Sequence, residues 1–292
     1  MEPVAGAQLL LDAHEAAGRY VEVSGLRAFV REGGAGDTVL LVHGVPASSY
    51  LYRRVIDELA AIGLRGVSVD LPGFGLTDRP AEFDYSMVGL GRWLSAAVDA
   101  LGLDRFHLVV HDAGGPVGFE LALLAAERLR SLTILNTAFE LSSLPYPGEL
   151  YARAATRVTG PLTRADAWRF MMRRVGVADA GATTEAELDV YRLLGLRTDH
   201  GAAYLALMKS LRAGHGGGER FAPVIDSRRT SYPVSILWGA LDPLLPLKKQ
   251  GLAILAATGL PSMSVVPAKH FLQEDHAGTV AATIAANAAG GS

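Results

Sequence analysis

A short apolar run rich in β-branched residues, Phe106-His107-Leu108-Val109-Val110, passes through His111-Asp112-Ala113-Gly114-Gly115 into Pro116-Val117-Gly118-Phe119-Glu120-Leu121-Ala122-Leu123, which reads as a helix. Few folds accommodate a strand that turns so abruptly into a helix on small residues. This is the setting of a nucleophile elbow, where the central residue is usually the serine of Gly-x-Ser-x-Gly. Here the central residue is Asp112, and no Gly-x-Ser-x-Gly occurs anywhere in the chain. A carboxylate nucleophile attacks carbon and leaves an alkyl ester on the protein, whereas serine leaves an acyl ester. Taken alone, the segment is equally compatible with Asp112 as a helix cap.

The rest of the chain supplies a frame for such a turn. Residues 20–23 and 26–31 flank Ser24-Gly25 as an opening hairpin. Further strands are expected at 39–42, 65–69, 106–110, 132–135, 234–238 and 263–266, with helices at 86–101, 115–129 and 247–257 between them. Continuous apolar strands alternating with helices indicate an α/β fold, a mostly parallel sheet covered on both faces. Ligands of such sheets bind beyond the carboxyl ends of the strands. Residues 139–229 interrupt the alternation with helical patterns rich in Arg, Ala and Tyr. They are read as a helical cap inserted into a core made of 1–138 and 230–292. Gly214-His215-Gly216-Gly217-Gly218 lacks the flanking strand and helix of a phosphate-binding loop.

Composition removes several function classes. In 292 residues, 27 basic against 30 acidic side chains give a net charge of −3 with no basic block, so no nucleic-acid partner is expected. The absence of cysteine excludes disulfides, thiol nucleophiles and Cys-based metal sites. No His, Asp or Glu cluster has metal-ligand spacing, and no cofactor motif is present, so neither a metal nor a cofactor is expected. The N-terminus lacks the features of a signal peptide, and no apolar run reaches the roughly 18 residues of a membrane span. A soluble, cytoplasmic protein with no membrane partner is the expectation.

Three further segments place polar groups at strand ends. Trp238-Gly239-Ala240-Leu241-Asp242-Pro243 offers Asp242 as an orienting acid, and Lys269-His270-Phe271-Leu272-Gln273-Glu274-Asp275 offers His270 as a base. His43-Gly44-Val45-Pro46 lies where the backbone N–H of an oxyanion hole belongs. The chain order of nucleophile, acid and histidine is the one associated with strand-to-helix elbows. Aspartate, with a reference pKa of about 3.9, attacks without a base. Imidazole is then needed only to activate water.

These motifs, together with Pro46-Ala47-Ser48-Ser49-Tyr50-Leu51-Tyr52-Arg53 and Asp70-Leu71-Pro72-Gly73-Phe74-Gly75-Leu76-Thr77-Asp78-Arg79-Pro80, resemble the aspartate-nucleophile branch of the α/β-hydrolase superfamily. That branch holds epoxide hydrolases and haloalkane dehalogenases, and the likeness spans residues 20–285. The resemblance implies the α/β-hydrolase fold and a two-step reaction on a small apolar organic substrate. Asp112 displaces the leaving group, and water activated by His270, itself oriented by Asp242, hydrolyses the ester. The N–H groups of Val45 and Ala113 are implied as the oxyanion hole. Asn136 stands where some dehalogenases carry the acid, and asparagine cannot be that anion.

The leaving group is less constrained. Similar dehalogenases carry a halide-holding tryptophan after the nucleophile and an asparagine before the proline of the His-Gly-x-Pro motif. This chain has Ala113 and Val45 there. Trp168 is a substitute donor on the inserted segment. Epoxide opening needs O–H donors, for which similar epoxide hydrolases use two cap tyrosines. Tyr204 matches the later of these in position, with Tyr151 and Tyr191 as candidate partners. The sequence reading favours epoxide opening, with carbon–halogen hydrolysis as the alternative. A hydrolase-fold protein that binds a small apolar ligand without turnover is the reading of a different class.

Overall fold

The computed structural model describes residues 5–139, 164–210 and 217–290. Eight strands form one sheet in the order β1-β2-β4-β3-β5-β6-β7-β8. The strands are β1 (Gly18–Val23), β2 (Leu26–Gly33), β3 (Thr38–Val42), β4 (Arg65–Val69), β5 (Phe106–Asp112), β6 (Leu129–Thr137), β7 (Val234–Gly239) and β8 (Ser264–Val266). β1 and β2 pair antiparallel as the expected hairpin, and β2 joins β4 antiparallel. Every pairing from β4 through β8 is parallel. Each strand foreseen from the sequence is present, most of them extended by a residue or more.

The helices are α1 (Ala7–Ala16), α2 (Arg53–Ala61), α3 (Met87–Ala100), α4 (Gly114–Leu124), α5 (Ala165–Met171), α6 (Glu185–Leu196), α7 (Ala202–Ser210), α8 (Gly217–Ile225), α9 (Leu252–Thr258), α10 (Leu272–Asp275) and α11 (Ala277–Ala289). Successive strand residues face opposite layers, as the two-residue period of a strand requires. Leu40, Val42, Leu108 and Val110 enter the core shared with α3, α4, α8 and α9. Val39, Leu41, Val109, Leu135 and Leu237 enter the core shared with α2 and α11. Each fully buried Leu or Val contributes about 1.5–3 kcal/mol, so a sheet buried on both faces needs the unbroken apolar runs seen in the sequence.

Three local expectations change. The helix after β5 ends at Leu124 rather than near 129, and a 3₁₀ turn over Ala126–Arg128 leads into β6. The stretch foreseen as helix from 247 opens as a π-type turn over Leu247–Gly251 before α9. An N-terminal helix, α1, was not foreseen, because Leu9 and Leu10 stay exposed and its buried face is set by Ala7 and His14. α5, α6 and α7 lie in sequence between β6 and β7, and α5 and α6 share a third core with Tyr50, Leu51 and Phe271. No described helix is long and apolar enough to cross a membrane.

Candidate active site

Asp112 ends β5, and α4 begins two residues later. Its φ of 52° lies in the left-handed region, which costs a non-glycine residue on the order of 1–3 kcal/mol unless the surroundings over-determine it. Here they do. Thr137 Oγ1 donates to the Asp112 carbonyl at 2.6 Å. Val45 N–H donates to Asp112 Oδ1 at 2.8 Å, and the neighbouring Ala113 N–H helps to favour the charged carboxylate. Gly44 permits that approach, because a Cβ there would sit 2.3 Å from Asp112 Oδ1. The two donors named from the sequence therefore converge on the carboxylate.

Burial opposes the charge of Asp112, yet the neighbouring His270 and the backbone donors outweigh it and hold the carboxyl below its ordinary value. The group is an anion at neutral pH. Oδ1 is occupied by the Val45 donor, which leaves Oδ2 on the side of His270.

His270 Nδ1 lies 2.8 Å from Asp242 Oδ2. Its Nε2 stands 3.3 Å from Asp112 Oδ2, an ion-pair contact without hydrogen-bond alignment. Burial alone would lower the imidazole pKa, but the charges of Asp242 and Asp112 raise it to about 10. The two carboxylates thus favour the imidazolium form of His270. Asp242 is brought down to about 2: burial opposes its charge and is overcome by His270, by the backbone donors and by Asn136. The N–H groups of Leu244 and Leu245 donate to its Oδ1 at 2.8 and 3.0 Å.

Two residues gain roles that the sequence reading did not assign. Asn136, at the end of β6, donates to Asp242 Oδ2 at 2.7 Å while its Oδ1 accepts from Gly239 N–H at 2.7 Å. The residue that cannot be the acid holds the acid in place. His111 Nε2 lies 2.8 Å from the His270 carbonyl. A carbonyl only accepts, so Nε2 carries the proton, and burial keeps this ring neutral with a pKa of about 4. His43 bridges similarly: its Nδ1 lies 2.8 Å from Gly44 O and its Nε2 accepts from Leu71 N–H at 3.0 Å. It ties the loop that carries Val45 to the backbone of Leu71.

A cavity of about 270 Å³ reaches His270, walled also by Val45, Pro46, Met171, Met172, Leu244 and Phe271. Its wall is apolar apart from the imidazole and the backbone.

The leaving-group candidates separate. Trp168 Nε1–H donates to Leu188 O at 2.7 Å, so the indole proton is engaged inside the inserted helices. Tyr191 donates its hydroxyl proton to the buried Glu274, and its ring packs at 5.4 Å from Phe271. Both residues are anchors of packing rather than donors to a leaving group, a correction to the sequence reading. Helical spacing on α6 could not reveal it, because Glu274 lies 83 residues further along the chain. Tyr204 lines a smaller hollow with Pro46, Phe74 and Arg192. Tyr151 lies outside the described residues.

The sequence matches the family described as alpha/beta hydrolase fold over residues 37–277. It is 30% identical over 274 residues to haloalkane dehalogenase 2 of Mycobacterium tuberculosis (strain ATCC 25618 / H37Rv), covering 91% of this chain and 93% of that protein. It is 28% identical over 271 residues to a haloalkane dehalogenase of Mesorhizobium japonicum, covering 88% of this chain and 86% of the relative. Among solved structures, the enol-lactonase from Burkholderia xenovorans LB400 superposes with a TM-score of 0.74 at 20% identity, over 92% of this chain and 98% of that one. That likeness concerns the fold.

Proposed function

The chain belongs to the α/β-hydrolase fold family, in its dehalogenase-like branch, and from that premise we propose that it hydrolyses a carbon–halogen bond through an alkyl ester on Asp112. The observation that carries the reading is the arrangement of the Asp112 carboxylate. One oxygen is held by Val45 N–H, and the other is turned toward an imidazole that is paired with a second carboxylate.

In the first step Asp112 Oδ2 attacks the carbon and its electron pair forms the C–O bond as the halide departs with the C–halogen pair. The ester removes the charge of Asp112, one of the two anions that keep His270 protonated. The imidazolium then loses its proton to solvent and becomes the base for water. Water adds to the ester carbonyl, and the developing oxyanion on Oδ1 meets the Val45 and Ala113 donors, the arrangement that stabilises such intermediates. Collapse returns the Asp112 carboxylate, the alcohol and a proton on His270. Asp242 stays ionised and orients the ring. The described helices α5 to α8 act in this reading as a cap that closes a small apolar substrate in with water. The dimensions of the 270 Å³ cavity suit a substrate of few heavy atoms.

Two observations favour halide over epoxide. The relatives named as haloalkane dehalogenases align along nearly the whole chain, and the Tyr191 hydroxyl is bound to Glu274. Epoxide opening is the second reading, supported by the placement of Tyr204 beside Pro46. The test is His270→Gln, incubated separately with short bromoalkanes and short epoxides, followed by intact-mass and peptide mapping. A stable alkyl adduct on Asp112 from the bromoalkanes is expected. An adduct from the epoxides alone would select the second reading. No adduct from either set would sink the mechanism and leave a non-catalytic binder of small apolar ligands.

A further inference from the structure

We propose that His111 is the positioning residue of the base: it ties the backbone of His270 to the strand that carries Asp112 and so sets the spacing of imidazole and carboxylate. As to the reaction step it serves, the inference rests on the Asp112-ester mechanism above. His111 is fully buried and directly precedes Asp112 at the end of β5. Its Nε2–H donates to the His270 carbonyl at 2.8 Å. From nucleophile to base, that route contains one peptide bond, one side chain and one hydrogen bond. The peptide is a planar, stiff link of about 3.8 Å between Cα atoms. The route through Asp242 passes instead by way of β7 and the loop beyond it.

The ring is suited to that task and to no acid–base step. Its Nδ1 is buried with no hydrogen-bond partner among the described residues. A proton there would be an unmatched buried donor, so the surroundings select the Nε2–H tautomer. Burial also favours the neutral form. The ring packs 4.8 Å from that of His270 and 6.0 Å from that of Phe271, so it steadies the imidazole as well as the backbone. The strand ends are shaped for such a tie. Between the pairs Val110–Ile134 and Asp112–Thr137, β5 advances two residues and β6 three, a register slip of the kind that re-aims side chains. From either side of it a polar side chain crosses to the acid–base pair: Asn136 of β6 to Asp242, and His111 of β5 to His270.

The tie from the sheet opposes one from the inserted segment. His270 N–H donates to Val175 O at 3.2 Å, while its carbonyl accepts from His111. The ring is held at Nδ1 by Asp242 at 2.8 Å, which leaves Nε2 3.3 Å from Asp112. Without the His111 donor, the base keeps its bonds to Val175 and Asp242 and loses the one to the nucleophile's own strand. The Nε2–Asp112 spacing is then what loosens. Attack by Asp112 on carbon does not use that spacing, whereas delivery of water to the ester does.

Two variants separate a tether from a filler. His111→Phe keeps a ring and removes the donor, and His111→Gln returns an N–H donor near the place of Nε2. With a short bromoalkane, His111→Phe should alkylate Asp112 within about threefold of the unaltered rate but hydrolyse the ester at least about tenfold more slowly (about 1.4 kcal/mol). Bromide release then shows a burst of one ion per site. His111→Gln should recover part of the lost hydrolysis. In NMR titrations of ring-labelled histidine, the His270 pKa should move down from about 10 in His111→Phe and back up in His111→Gln. Should His111→Phe not fold, the unaltered protein decides: nitrogen shifts should show a protonated Nε2 and a bare Nδ1 on His111, with scalar coupling across the hydrogen bond to the His270 carbonyl. Unchanged hydrolysis, equal slowing of both steps, no rescue by His111→Gln, an unmoved His270 pKa in a folded His111→Phe, or a proton on Nδ1 overturns the proposal. The NMR measurements need no substrate. A failure of both bromoalkanes and epoxides to alkylate Asp112 therefore refutes the ester mechanism, while the titration still decides whether His111 holds the base.

Discussion

Asn136 and His270 both engage the same oxygen of Asp242: the asparagine amide donates to Oδ2 at 2.7 Å, and the imidazole Nδ1 meets it at 2.8 Å. The acid is thereby fixed from two sides, one neutral and one charged. Asn136→Ala should leave the alkylation step nearly intact and slow ester hydrolysis, because only the second step needs the ring in register. A loss of about tenfold is expected, together with about 1–3 kcal/mol of stability from the partner left unmatched. Burst kinetics and urea unfolding check this. Equal slowing of both steps would show that Asn136 serves the fold as a whole.

The imidazolium of His270 depends on two anions. Asp112→Asn removes one of them and should lower the His270 pKa from about 10 toward its ordinary 6.5, measurable by NMR titration of the ring. The stability consequence has a definite sign. A raised histidine pKa adds stability that is fully present below the unfolded value, near 6.5, and is lost as the pH rises through about 10. The folded protein should therefore lose stability across that window, and the decline should be shallower in Asp112→Asn.

Gly44→Ala would place a methyl group 2.3 Å from Asp112 Oδ1 and 2.7 Å from Ala113 N. Overpacking of this kind typically costs about 1–3 kcal/mol, and here the displaced atoms are those of the proposed nucleophile and the adjoining N–H. Alkylation of Asp112 should fall by at least about a hundredfold (about 2.7 kcal/mol of barrier) while the protein still folds. Alkylation at the unaltered rate would mean that the loop relaxes without moving the carboxylate.

Glu274 is buried and receives Tyr191, both terminal nitrogens of Arg53, and Arg54. Glu274→Ala leaves the nearly buried Arg53 with Glu187 as its remaining carboxylate at 2.8 Å and should cost about 1–3 kcal/mol. Tyr191→Phe should cost about 1–3 kcal/mol and leave the alkylation rate of the His270→Gln background within about threefold. A drop of a hundredfold or more in alkylation would return Tyr191 to the leaving group.

The strands were legible because a sheet buried on both faces takes mostly apolar residues at both phases, with the few polar ones matched inside the sheet, as His107 is by Ser131. Leu40 and Leu41 go to different cores, yet both must be apolar, so the run is unbroken in sequence. The polar ends of those runs, at His43, Asp112, Asn136 and Asp242, were legible for the complementary reason. What the sequence hid was decided by long-range partners. Trp168 and Tyr191 look like available donors until the fold brings Leu188 O and Glu274 to them. Arg192 stands one turn after Leu188 on the buried side of α6. That position inside an apolar stripe was the available signal for a buried cation, and charge content alone masked it.

The backbone N–H groups of His270 and Phe271 donate to Val175 O and Gly176 O at 3.2 and 2.8 Å, and Lys269 Nζ donates to Arg173 O at 2.5 Å. Met172, Val175 and Gly176 are also part of the wall of the 270 Å³ cavity. The wall and the base are consequently one mechanical unit. If that wall swung outward to admit a molecule, it would pull His270 away from Asp112 and Asp242, and under the proposed mechanism the chamber would be open only while it was inert. Traffic that keeps the machinery armed has to pass by another side, and engineering aimed at larger substrates should leave 172–176 alone and widen the chamber elsewhere.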